Sequence, residues 1–113
     1  MPLRNLPLGQ AKSLASLIEC RAGQVSSAAL ARDAGVDLTL LAFAAGESVS
    51  EEEYLGDTLY YLVEGAAAVS LPDRMVPLAA GEVLCVPAHT EHAVENVGVP
   101  FKLLQLTLRL ASS

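Results

Sequence analysis

Tryptophan is absent from this 113-residue chain, and aromatic residues reach only 4%. Hydrophobic residues nevertheless make up 52%, so the interior must be filled mainly by Leu, Val and Ala. Bases are scarce too: seven Lys and Arg stand against thirteen Asp and Glu, a formal net charge of −6. A surface of that sign repels a phosphate backbone, and no Lys/Arg cluster offsets it, which argues against nucleic-acid binding. Long apolar runs are missing. LTLLAFAAG, residues 38–46, stops at nine residues, well short of the ~20 that a membrane helix needs. MPLRNLPLGQAK at the start lacks the continuous apolar stretch of a secretory signal, so a cytoplasmic location is expected. Cys20 and Cys85 are the only cysteines. In a reducing compartment both are expected to be free thiols, and Cys85, inside VLCVP, is expected to be a small core residue.

What is present suits one globular domain. Charged residues are 18% of the chain, and a domain of this length buries roughly two-thirds of its unfolded surface. Residues 1–13 hold two of the six prolines and read as an irregular N-terminal arm, with a single domain over 14–113. Beyond the arm, short apolar segments alternate with turn signals, among them Gly46, Gly65, Pro72 with Asp73, Gly81, Pro87 and Gly98 with Pro100. That rhythm predicts an all-β sandwich or barrel. VDLTLLAF (36–43) is rich in strand-forming residues. LYYLVEG and AAAVSLP (59–72) predict two strands meeting at Gly65, and VLCVP (83–87) a short buried strand ended by Pro87. In FKLLQLTLRL, Leu104, Leu106, Leu108 and Leu110 share one face, opposite Phe101, Leu103, Gln105, Thr107 and Arg109. Residues 14–23 and 26–35 are Ala- and Leu-rich enough for helices, but the surrounding rhythm favours strands.

Two stretches carry chemistry. GEVLCVPAHTEHAVEN (81–96) contains both histidines of the chain, His89 and His92. At a separation of three they share a site only if the strand turns between them. Imidazole is a common metal ligand and the natural acid/base near neutrality, although two histidines alone do not complete a metal site. GESVSEEEYLGDTLYYLVEG (46–65) concentrates carboxylates, including Glu51, Glu52 and Glu53. Such a run is ordinarily solvated, yet one carboxylate leading into a buried strand would point inward, and beside a neutral imidazole it makes a metal half-site or an acid–base pair.

These two stretches resemble the motifs of the small single-domain cupins, G-x5-H-x-H-x3/4-E-x6-G and G-x5-P-x-G-x2-H-x3-N. The second is matched by Gly81, Pro87, His92 and Asn96, with His89 in place of its inner glycine. The first keeps its frame in Gly46 and Gly65 but has Glu52 and Tyr54 at its histidine positions and Thr58 at its glutamate position. The resemblance covers residues 36–110. It implies a jelly-roll barrel (a double-stranded β-helix), turn roles for Gly46, Gly65, Gly81 and Pro87, and a ligand pocket at the barrel mouth formed by Glu52, Tyr54, Thr58, His89, His92 and Asn96. His92 holds the one metal-ligand position that survives. With Glu52 and His89 it would give a mixed oxygen and nitrogen set for a divalent Mn, Fe, Ni or Zn ion.

Three functions follow as expectations. The first is a module that binds a small molecule at the barrel mouth, with or without a divalent metal. The second is an enzyme on a small polar substrate, working by metal or by Glu/His acid–base chemistry, of isomerase, dioxygenase or decarboxylase type. The third is a structural or regulatory protein with a filled barrel. A mean hydropathy of +0.42 is high for a small barrel, and exposed apolar area of that kind predicts a homodimer. The resemblance implies the same, through the N-terminal segment and the partner's sheet.

Overall fold

The computed structural model describes residues 3–109. Among these residues nine antiparallel strands form two sheets, as the all-β expectation requires. In chain order they are β1 (Val25–Asp33), β2 (Val36–Phe43), β3 (Val49–Glu52), β4 (Asp57–Glu64), β5 (Ala66–Ser70), β6 (Met75–Ala79), β7 (Val83–Val86), β8 (His92–Asn96) and β9 (Phe101–Leu108). One sheet has the order β1-β2-β9-β4-β7 and the other β3-β8-β5-β6. The ambiguous residues divide: 26–33 lie in β1, whereas within 14–23 only Leu14–Leu17 is regular, as one 3-10 turn. Among the described residues no helix is long and apolar enough to cross a membrane.

Strand register builds the interior from the sequence. Residues paired across an antiparallel ladder share a face, and successive residues alternate. At one end of the five-stranded sheet Phe43 is paired with Phe101, their rings stacked with centroids 4.3 Å apart. Two residues on, the inner row is Leu41, Leu103 and Leu62. Two further on, it is Thr39, Gln105 and Tyr60, and then Asp37, Thr107 and Thr58. The inner face therefore runs from aromatic and aliphatic to hydroxyl, amide and charge. Val69, Val94, Leu78 and Ala67 of the second sheet close the apolar end.

The opposite face of the same strands is apolar as well. Leu38, Leu106, Leu59 and Cys85 form one cross-strand row, and Leu40, Leu104, Tyr61 and Val83 the next. The leucine face of β9 is thus the outer one; Leu110 lies outside the described residues. The segment before β1 crosses part of this face: Lys102 donates to the Ala15 carbonyl at 2.7 Å, and Leu40 is fully buried. Here the reading of VLCVP needs correction. β7 is a sheet edge whose inward residues are Leu84 and Val86, so Cys85 points out and is exposed. Cys85 and Cys20 are both free thiols, and Cys20 contacts the Phe101 carbonyl at 3.7 Å.

Two glycines set corners that matter for the site. Gly65, between β4 and β5, has φ +89°, and a β-carbon there would lie 2.4 Å from the Pro100 carbonyl. Gly56 lets the loop before β4 lie against the end of β9, where a β-carbon would meet the Leu108 carbonyl at 1.8 Å. Gly46 and Gly81 also hold positive φ, and β7 stops at Val86, just before Pro87.

Candidate functional site

The polar end of the inner face opens into a cavity of about 350 Å³. Arg32, Asp37, Thr39, Gln105, Thr107 and Arg109 form its sheet wall, and Glu53, Tyr54 and Leu55 of the β3–β4 loop face them. Arg32 is paired with Asp37 across β1 and β2, which places both on the inner face. Arg109 is held by the Asp37 carboxylate and, at 3.5 Å, by the Asp33 carbonyl. Thr107 shares a hydrogen bond with buried Thr58 at 3.2 Å.

Deeper in the barrel lie His92, Glu52, Tyr54 and Tyr60. Glu52 is opposite His92 in the β3–β8 register, so the two share the inward face. His92 is 2% exposed and both ring nitrogens are engaged. Nδ1 lies 2.8 Å from the Thr90 carbonyl, which only accepts, so Nδ1 carries the proton. The Tyr60 hydroxyl lies 2.7 Å from Nε2, and in the Nδ1–H tautomer it donates to that nitrogen. Burial, together with Tyr54 and the Glu52 carboxylate, pushes the Tyr60 phenol well above its ordinary pKa, so it stays a protonated donor. The Tyr54 ring lies 5.8 Å from the His92 ring and lines the mouth cavity, which His92 does not. His92 itself lines a second cavity of about 560 Å³ with Glu51, Ser70, Leu71, Pro72 and Glu91.

Of the residues expected at the site, Glu52, Tyr54, Thr58 and His92 gather around this end of the barrel. His89 and Asn96 are placed elsewhere. The His89 side chain is 63% exposed and faces Glu53 at 4.0 Å, while its backbone N–H donates to the Tyr54 carbonyl at 2.8 Å. Its φ is +62°, the left-handed conformation that the motif's glycine would supply. His89 therefore fastens the β7–β8 turn to the β3–β4 loop, helped by the Ala88 N–H on the Asp57 carboxylate at 2.9 Å. Asn96 braces the β2–β3 loop, donating to the Ala44 and Glu47 carbonyls, each at 2.9 Å, and accepting from the Gly98 N–H at 2.6 Å.

The residues present do not fit a divalent metal. Nε2 of His92 already accepts from a phenol, and His89 faces away. That leaves Glu52, whereas a protein metal centre draws on three or four ligands. Among the described residues no three His, Cys, Asp or Glu side chains converge.

No local motif marks Arg32, Asp37 or Thr39 in the sequence, where Gln105, Thr107 and Arg109 stand out only as one face of a strand. The available signal was the interruption of leucine strands by Thr39, Gln105 and Thr107 at alternating positions. Register alone turns those interruptions into one polar wall.

Two antiparallel sheets, one of five strands and one of four, with an apolar base and a polar mouth make a small jelly-roll barrel. The family model for the cupin domain matches residues 39–107, and the chain belongs to the cupin family. A crystallised cupin superfamily protein from Desulfitobacterium hafniense is 50% identical, with a TM-score of 0.92 over 96% of this chain and 98% of its own. A crystallised predicted oxalate decarboxylase from Thermotoga maritima is 23% identical over 78% of this chain and 83% of its own, with a TM-score of 0.72, and shows likeness of fold alone. An uncharacterized protein of Methanocaldococcus jannaschii is 29% identical over 59 residues, 51% of this chain. The match spans about half, 47%, of that relative's length.

Proposed function

We propose that this protein binds a small polar molecule at the mouth of its barrel without needing a metal ion. The observation that carries the reading is the polarity gradient on the inner face. Leu62, Leu103 and Phe101 close the base, whereas Thr39, Gln105, Arg32 and Arg109 line a cavity at the other end. An apolar barrel has no structural need of guanidinium, amide and hydroxyl groups on its lining, and a few polar groups converging on a concavity are the ordinary make-up of a ligand site. Acid–base catalysis by Glu52 and His92 has less support, because the lone pair of the imidazole is already engaged by Tyr60.

A second copy of the chain is the proposed partner. Leu38, Leu59 and Leu106 form a half-buried row on the outer face, flanked by Val83 at 60% and Leu108 at 48% exposure. Apolar area of this kind marks an interface.

The test of the binding reading is amide NMR during titration with a library of small polar metabolites, with and without EDTA. Shifts at Thr39, Gln105 and Thr107, equal in the two conditions, are expected. Shifts that need an added metal, or that fall on other elements, would refute it.

A further inference from the structure

We propose that the ligand of the mouth cavity is a small hydroxylated carboxylate, its carboxylate held by Arg32 and its hydroxyls by Gln105 and Thr39; this rests on the binding reading above. Acids outnumber bases almost two to one in this chain, thirteen to seven, yet two of its five arginines meet at this one cavity. Their circumstances differ. Arg109 is committed: Asp37 offsets its charge, and the Asp33 carbonyl fixes its other arm. Arg32 makes no ion pair or side-chain hydrogen bond among the described residues and lines the cavity beside Asp37. Asp37 is turned to Arg109, so the guanidinium of Arg32 is left to meet a ligand. A guanidinium fork matches a carboxylate in shape and charge.

The other polar groups narrow the ligand further. Gln105 and Thr39 are partners across β2 and β9. Neither side chain has a protein hydrogen-bond partner among the described residues, and neither holds a buried orphan atom. Their amide and hydroxyl therefore open onto the cavity, a donor and acceptor pair suited to hydroxyl groups. Glu53 on the facing loop disfavours a second negative group on that side. At about 350 Å³ the cavity lies near the lower end of the ligand-pocket range, roughly 300 to 1,000 Å³, which suits a small organic acid.

The test is calorimetric titration of the full chain with glycerate, lactate, glycerol and ethanolamine at millimolar concentration, repeated on Arg32→Gln and Gln105→Leu. Arg32 is exposed and has no side-chain partner among the described residues, so its variant should keep the wild-type melting temperature. Glycerate is expected to bind best. Arg32→Gln should weaken it about 10- to 100-fold, the range for a lost charge-assisted hydrogen bond. Gln105→Leu should reduce the preference for glycerate over lactate. If glycerol or ethanolamine binds as well as glycerate, or Arg32→Gln leaves glycerate affinity unchanged, the carboxylate assignment is wrong while the binding reading stands. If none of the four binds, the hydroxylated-carboxylate assignment is wrong, and the binding reading is decided by the library titration above.

Discussion

The hydroxyl of Tyr60 donates to Nε2 of His92 across 2.7 Å in the buried part of the barrel. Tyr60 comes from β4 and His92 from β8, so this bond ties the two sheets together. It also uses the one nitrogen through which His92 would otherwise act. Tyr60→Phe removes the donor and leaves a buried acceptor without a partner. Such a loss typically costs about 1–3 kcal/mol. Urea unfolding should show a destabilisation of that order, and an unchanged midpoint would mean the bond is not formed in solution.

His89 holds a left-handed backbone conformation at φ +62°, which an L-residue adopts at a cost of about 1–2 kcal/mol. His89→Gly relieves that strain, while its exposed pairing with Glu53 contributes little. After the greater chain entropy of glycine is set against it, a net gain of about 0.5–1 kcal/mol is expected. His89→Ala keeps the β-carbon and should show no such gain. Equal stabilities for the Gly and Ala variants would contradict the conformational assignment.

On the outer side of β3, the Glu51 carboxyl is raised above its ordinary pKa, first by a hydrogen bond with Glu91 and then by that group's charge. A carboxyl raised in the folded state favours folding when protonated, and that contribution is lost as pH rises through the carboxylate range. At neutral pH the pair therefore opposes folding. Glu91→Gln should raise the melting temperature slightly at pH 7, and the difference should shrink toward zero as the pH falls below the unperturbed value. A difference that grows on acidification would contradict the pairing.

The architecture was legible because glycine and proline spacing, alternation and two spaced motifs agreed. Gly65 illustrates why: its corner leaves no room for a β-carbon beside Pro100, so the residue type reports geometry directly. The site was legible only in part. Glu52 and His92 stand opposite one another as their motif positions imply, but nothing local to His92 announces Tyr60, which lies 32 positions away. Cys85 looked internal because VLCVP is apolar throughout, and only the edge position of β7 shows which alternate residues face out. The arginine, amide and hydroxyl wall comes from β1, β2 and β9, whose polar residues become neighbours only once register is known.

Light scattering at micromolar concentration should give the mass of a dimer. Leu106 sits in the middle of the outer apolar row, beside Leu38 and Leu59, and Leu106→Glu should yield a folded monomer. A wild-type chain that is monomeric at that concentration would show that this face is not an interface.

The nitrogen-15 spectrum of the His92 imidazole, recorded before and after stoichiometric Mn, Fe, Ni or Zn, bears most directly on a barrel that works without metal. A neutral ring protonated at Nδ1 is predicted, with an Nε2 resonance that the added ions leave in place. A shifted or broadened Nε2 signal on metal addition would contradict the account.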